Sequence, residues 1–271
     1  MKTSVIISTY NHPKWLQKTL WGYANQSYSN FEIIIADDGS DERTKTVIDQ
    51  AKHELKQPIK HVWHEDNGFQ KSAILNKATI ASSGEYLIFT DGDCVPRQDF
   101  IATHLAHAQQ GHILSGGYCK LPMQLSKDIT RDDILSGRAF DANWLAQHGL
   151  KSFSSKLKLS LPPSCRKIAD ILTPTKATWN GCNASTFREN ILAVNGHNEK
   201  MQYGGQDREM GERLLNLGLK PIQLRHRAIL IHLDHSRAYR TKESIDKNLA
   251  IRAATKESGI IETPHGIQQA S

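Results

Sequence analysis

The chain has 271 residues, 38% of them hydrophobic, with a formal net charge of +6 and an isoelectric point near 9.1. That suffices for the core of one large domain, or of a domain with a substantial insertion, and the positive balance suits a phosphate-bearing partner, an anionic membrane or an ordinary soluble enzyme. Cys94, Cys119, Cys165 and Cys182 form no CxxC pair, no apolar run approaches the length of a membrane span, and the N-terminus lacks a signal-peptide pattern. These features argue against a structural zinc knot, a dense disulfide framework and a transmembrane protein. The expectation is a cytoplasmic protein, with peripheral contact at the inner face of a membrane left open.

Val5-Ile6-Ile7-Ser8-Thr9-Tyr10 reads as a first buried strand. Asn11-His12-Pro13 then announces a helix, with a capping side chain and a proline near its first position, and Leu16, Leu20 and Tyr23 give it a buried face. Phe31 to Ile35 is the second strand, running into Ala36-Asp37-Asp38-Gly39-Ser40. Val47, Ile48, Ala51 and Leu55 mark another helix, Ile59 to Trp63 a third strand, and Ala73 to Ala81 a further helix. The fourth strand, Tyr86-Leu87-Ile88-Phe89-Thr90, ends in Asp91-Gly92-Asp93-Cys94. Alternating strands and helices predict a mostly parallel α/β sheet with helices on both faces.

The strand ends collect polar chemistry: Thr9-Tyr10-Asn11, then Asp37-Asp38, then Asn67-Gly68 with Lys71, then Asp91 and Asp93. Each has a plain alternative as a turn, a helix cap or a solvated charge. Their shared position at the carboxyl edge of a parallel sheet is where such sheets bind ligands. Carboxylates there can hold ribose hydroxyls or base N–H groups, a lysine can meet phosphate, and Asp91 and Asp93 suit Mg²⁺ or Mn²⁺ carrying a diphosphate. No GxxxxGK[ST] or GxGxxG segment follows a strand, so P-loop and dinucleotide readings fail.

These four motifs, in this order, resemble the family-2 glycosyltransferases of GT-A fold. The resemblance covers most of residues 3–100 and implies a nucleotide-sugar donor, usually a UDP-sugar, a divalent metal, and inversion at the anomeric carbon. It implies that Asp38 touches the uracil or ribose, Asp91 the ribose, and Asp93 the metal. Thr9 and Tyr10 would border the base pocket, with Asn67 and Lys71 near the nucleotide.

Phe100, Ile101, Leu105 and Ala108 suit a helix and His112 to Tyr118 a strand. From Leu121 to Thr178 the pattern blurs: Lys151, Lys156, Lys158, Arg166 and Lys167 alternate with Trp144, Phe153, Leu157 and Leu161. This stretch reads as an inserted helical or loop segment over an acceptor, or as a solvated connector. Beyond it, Trp179-Asn180-Gly181 and Tyr203-Gly204-Gly205-Gln206-Asp207 are similar to the C-terminal part of the β-1,4-galactosyltransferases and the bacterial chondroitin-type polymerases. That similarity implies substrate contacts at Trp179, Gly205 and Gln206 and a catalytic base at Asp207. Gln206 stands where the family usually has Glu. A carboxylate at a helix start is ordinarily held ionised by backbone N–H groups; the plain alternative is that Asp207 serves as a helix cap, and the family match favours the catalytic role. Arg227 to Arg237 reads as a last strand delivering His232 and His235; the likeness of His235-Ser236-Arg237 to a metal-binding segment of the galactosyltransferases implies metal ligands at both histidines. Asp234 is the competing ligand.

The reading is therefore a nucleotide-sugar-binding half (1–119), an inserted acceptor-side segment (120–178), a galactosyltransferase-like half (179–240) and a helical tail (241–271). The expected activity is metal-dependent, inverting transfer of a hexose or N-acetylhexosamine from a UDP-sugar to a saccharide or lipid-linked saccharide in surface glycan synthesis, with no nucleic acid partner. The alternatives are a nucleotidyltransferase and a catalytically inactive sugar- or nucleic-acid-binding module.

Overall fold

The computed structural model describes residues 1–236 and 240–268; Arg237, expected to close the last strand, lies outside the described residues. The first half runs β1 (Thr3–Thr9), α1 (Pro13–Ala24), β2 (Phe31–Asp37), α2 (Glu42–Glu54), β3 (Ile59–Trp63), α3 (Lys71–Ala81) and β4 (Tyr86–Asp91). Then come β5 (Cys94–Pro96), α4 (Phe100–His107), β6 (His112–Lys120) and five short helices, α5 (Met123–Asp128), α6 (Arg131–Leu135), α7 (Ala142–Gln147), α8 (Phe153–Ser160) and α9 (Pro163–Leu172). The chain finishes with β7 (Ala184–Phe187), α10 (Arg188–Ala193), α11 (Gln206–Asn216), β8 (Lys220–His232) and α12 (Lys242–Glu257).

All these strands join one sheet in the order β3-β2-β1-β4-β7-β6-β8-β5. β3, β2, β1 and β4 are mutually parallel, β7 is antiparallel to both β4 and β6, β8 is parallel to β6, and β5 is antiparallel to β8. The continuous β-branched runs are explained by burial on both faces. Val5, Ile7, Ile33 and Ile35 point into a core with α1, α2 and α4, whereas Ile6, Ile34, Leu87 and Phe89 point into another with α3, α10 and α11. Alternate side chains of one strand thus serve opposite cores. A third cluster, from Val95, Cys119 and Ile231 to Leu125, Ile134 and Leu145, seats α5, α6 and α7. The blurred stretch is helical, in segments too short for a sustained period to show.

Register positions the site. Thr9 pairs with Asp37 and Ser8 with Asp91, so the loops after β1, β2 and β4 leave the sheet at one edge. Two local expectations differ from the structure. His12 occupies the N-cap of α1 without a side-chain cap bond. Asn11 instead accepts the Asp41 N–H (2.9 Å) while its own N–H donates to Ser40 Oγ (2.9 Å), tying the first two edge loops together. The last strand starts earlier, at Lys220, and ends at His232. Its pairing with β5 sets Cys94 opposite His232, and Leu233 N–H donates to Asp93 O (2.8 Å).

Candidate active site

The edge loops enclose a cavity of about 940 Å³. On one side stand the two carboxylates that follow β2. Asp37 is fully buried and accepts the Ser40 N–H (2.9 Å), with His61 Nε2 2.8 Å away, so it builds the loop. Asp38 faces the cavity, accepting the Gln70 N–H (3.0 Å), with His64 Nε2 at 2.8 Å. Burial pushes its carboxyl above the ordinary value, against the opposing pull of His64 and Lys71. Tyr10 donates its hydroxyl to Asp66 (2.8 Å), and Thr9 Oγ1 is buried with no hydrogen-bond partner among the described residues. Asp91 accepts from Ser8 Oγ (2.6 Å) and Lys71 Nζ (2.7 Å). Burial disfavours the Lys71 charge, but Asp91, Asp207 and Asp93 together hold its pKa well above the usual lysine range.

On the other side β5 and β8 converge. Asp93 Oδ2 lies 2.9 Å from His235 Nε2 and 3.7 Å from His232 Nε2. Each ring turns its Nδ1 to a backbone carbonyl, Leu233 O for His232 (2.9 Å) and Ser236 O for His235 (2.7 Å). Those carbonyls can only accept, so each Nδ1 carries a proton and Nε2 is the nitrogen turned toward the carboxylate. A carbonyl on the far nitrogen is the usual support of a metal-binding histidine, which turns its other nitrogen to the ion. The donor set, one carboxylate oxygen and two imidazoles, therefore fits a divalent metal, with a proton as its substitute. Burial opposes charge on Asp93, yet the His235 hydrogen bond and the two imidazoles hold it well below the usual carboxylate range. Asp234, the competing carboxylate, pairs with Lys120 (3.0 Å).

Asp207 occupies the cavity from the first turn of α11, whose N-cap is Gly205 at φ +101°. A non-glycine residue would be strained there. Its carboxylate rests against Gly181: a Cβ built at that glycine would stand 2.4 Å from Oδ1. Oδ1 is buried with no hydrogen-bond partner among the described residues. The helix start does not dominate its ionisation as the sequence suggested. Burial raises the Asp207 pKa, aided by Asp91, while Lys71 and the Gly181 N–H pull the other way. Glu209, two residues on and so on the opposite face of the helix, is fully buried and doubly bonded to Arg213 (2.8 and 3.0 Å), which removes it from the cavity. Gln206 is buried too, its side-chain oxygen accepting the Gly204 N–H (3.0 Å).

The cavity thus gathers Thr9, Tyr10, Asp38, Lys71, Asp91, Asp93, Gly205, Gln206, Asp207, His232 and His235. Two residues read as substrate contacts are not part of its lining. Asn67 is exposed, and its neighbours Gly68 and Phe69 line the wall instead. Trp179 is fully buried, its ring 5.4 Å from that of Phe89, so it props the floor from beneath. Sequence reasoning missed His12, which lines the cavity 5.6 Å ring to ring from His235, because it sat in a segment legible only as a helix start. It also missed Ser8, His64 and Gly181, which hold or make room for the carboxylates.

This sheet, with its carboxylate-lined edge, is the GT-A fold. It superposes on Staphylococcus aureus TarS 1–349, solved in complex with UDP-GlcNAc, with a TM-score of 0.63 at 15% identity, covering 96% of this chain and 70% of that one. It also matches the mannosyltransferase PcManGT of Pyrobaculum calidifontis, solved with GDP-Man and Mn²⁺, at TM-score 0.58 and 17% identity over 94% of this chain and 61% of that one. Residues 4–139 match the profile of Glycosyl transferase family 2, and the chain belongs to that family. Among curated relatives, an uncharacterised glycosyltransferase of Nostoc is 35% identical over 35% of this chain and 29% of its own. The chondroitin synthase of Pasteurella multocida is 34% identical over 38% of this chain and 10% of its own. The validoxylamine A glucosyltransferase of Streptomyces hygroscopicus is 26% identical over 89% of this chain and 57% of its own. The chain thus spans between about a tenth and somewhat over half of these relatives' lengths.

Proposed function

We propose that the protein transfers a hexose or N-acetylhexosamine from a UDP-sugar to a saccharide hydroxyl, with inversion and with help from Mn²⁺ or Mg²⁺. The observation that carries this reading is Asp207: a carboxylate oxygen without a partner, in the same cavity as Asp91, Lys71 and the Asp93–histidine cluster. Inverting transfer is a single displacement, so the acceptor hydroxyl must lose its proton as it attacks, and Asp207 Oδ1 is the atom free to take it. Asp38 and Asp91 offer acceptors to the nucleoside, and Asp93, His232 and His235 would hold the metal. When bound, that ion supplies Lewis-acid neutralisation of the diphosphate leaving group. UDP-GlcNAc in TarS and Mn²⁺ in PcManGT support this reading, whereas the GDP-Man of PcManGT supports a nucleotide sugar without favouring uridine.

The test is release of UDP from a panel of UDP-sugars, with and without Mn²⁺ and saccharide acceptors, with the product anomer read by NMR. Metal-stimulated UDP release with an inverted product is the expected result. UTP and sugar 1-phosphate formed from UDP-sugar and added pyrophosphate would instead mark a nucleotidyltransferase, and nucleotide binding without turnover an inactive module. Asp207→Asn should bind UDP-sugar nearly as the parent does and lose on the order of 10²–10⁴-fold in turnover.

A further inference from the structure

The most exposed large hydrophobic side chains among the described residues are Phe153 (75%), Leu172 (75%) and Ile171 (73%), with Ile168 next. All four lie on α8 and α9, and Leu157 joins them. Helical geometry makes this a face. On α8 the inward side is fixed by buried Ser155 and by Lys158, which donates to Tyr118 O (2.5 Å); Phe153 and Leu157 project from the opposite side. On α9 the inward side is fixed by Asp170, which receives Arg227 Nε (2.6 Å) and the His226 N–H (2.7 Å); Ile168, Ile171 and Leu172 project away. Apart from that buried aspartate, every charge between residues 151 and 178 is cationic, and Lys151, Lys167 and Lys176 are exposed. α8 flanks the cavity through Ser154 and Lys158, and Lys176, just after α9, helps to line it.

We propose that the outer face of α8 and α9 is a docking surface for an anionic lipid bilayer, holding the cavity mouth close to the headgroups. Lysines around protruding Phe, Ile and Leu fit such a surface, since the charges meet acidic headgroups while the apolar tips enter the acyl boundary. A second copy of this chain is a poorer match, because a two-fold contact would set cation against cation. A polyanion such as nucleic acid would leave the apolar tips unburied. Vesicle binding does not depend on the reaction proposed above, so either can fail without the other.

Co-sedimentation with vesicles tests it, comparing equal parts phosphatidylglycerol and phosphatidylcholine with phosphatidylcholine alone. The protein should sediment with the anionic vesicles only and be released by high salt. Phe153→Ser/Ile171→Ser/Leu172→Ser should lower partitioning at least about tenfold. Lys151→Glu/Lys167→Glu, which leaves the apolar tips in place, should do the same, with the thermal melt of each variant unchanged. Equal sedimentation of parent and charge-reversal variant overturns the proposal, as does a parent that ignores anionic vesicles. So does light scattering that finds a dimer which the triple variant dissolves, because the face would then belong to a second copy.

Discussion

Replacing Gly181 by alanine adds one methyl group, and the structure says what it meets. The new Cβ would lie 2.4 Å from Asp207 Oδ1 and 2.6 Å from its Cγ and Oδ2. To regain van der Waals separation the carboxylate must retreat by about 1 Å. A misplacement of that size at a reacting group costs roughly 10²-fold in rate, or about 2.7 kcal/mol of transition-state stabilisation. Gly181 lies in a turn without a positive φ, so alanine strains no backbone there, and the fold should survive. Steady-state kinetics on UDP release with acceptor should therefore show kcat reduced about a hundredfold, KM for the donor within about a factor of three, and an unaltered melting temperature. Parent-like kcat in a folded Gly181→Ala protein would mean that the position of Asp207 does not matter to the chemistry, and the assignment of the base would fall with it.

In metal titrations followed by UDP binding, Asp93→Ala should abolish the metal-dependent component, His235→Ala weaken it strongly and His232→Ala less so; a double histidine variant that binds Mn²⁺ and UDP like the parent would remove β8 from the site. Burial raises the Asp207 pKa above the ordinary carboxylate value near ~3.9, and a base must be ionised, so turnover should fall as pH drops through that raised pKa. Lys71→Met takes away the charge that holds it down and should move the acid limb of the kcat profile to higher pH, whereas an unmoved limb would detach Asp207 from that limb. Arg213→Met strands the fully buried Glu209 carboxylate and should cost about 3–5 kcal/mol in denaturant unfolding, a loss that a parent-like midpoint would refute.

β1, β2 and β4 were legible because each is largely a β-branched or aromatic run bounded by turn residues and buried on both faces, whereas β3, at the sheet edge, showed through Ile59, Val62 and Trp63 around Lys60 and His61. Asp38, Lys71, Asp91 and Asp93 were legible for a related reason, as polar residues placed where such runs stop. β5 was not: three residues carry no periodicity, and its only reason to be a strand is β8, far along the chain. The start of β8 was hidden by Pro221, Gln223 and Arg225, and its register against β6 shifts between Gly116 and Gly117. Trp179 misled because an aromatic beside Asn180 and Gly181 has the same composition whether it covers a sugar or fills a floor. Only Phe89 and Gly211 decide that, Gly211 by leaving room for the Trp179 Cβ at 2.6 Å from its own missing one. The ionisation of Asp207 depends on enclosure by separate segments, which local capping rules do not see.

The place of β7 bears on how this chain could be cut and recombined. Residues 4–139 carry the family signature, yet within that span the inner edge of β4 has no strand to close it. β7 arrives from residues 184–187 and runs antiparallel between β4 and β6. A chimera with a single crossover near residue 120 or 178 would therefore separate Tyr86–Phe89 from the β7 that saturates their backbone groups. If the foreign strand failed to pair there, Leu87, Ile88 and Phe89 would be left as an open ribbon, the kind of edge along which chains aggregate. Exchanging acceptor-side segments between relatives should work only when the crossover points leave β7 and β8 with the β4 and β5 they were built against. The unit that can be transplanted is the stretch between residues 121 and 178, because it enters from β6 and returns before β7 without contributing a strand of its own.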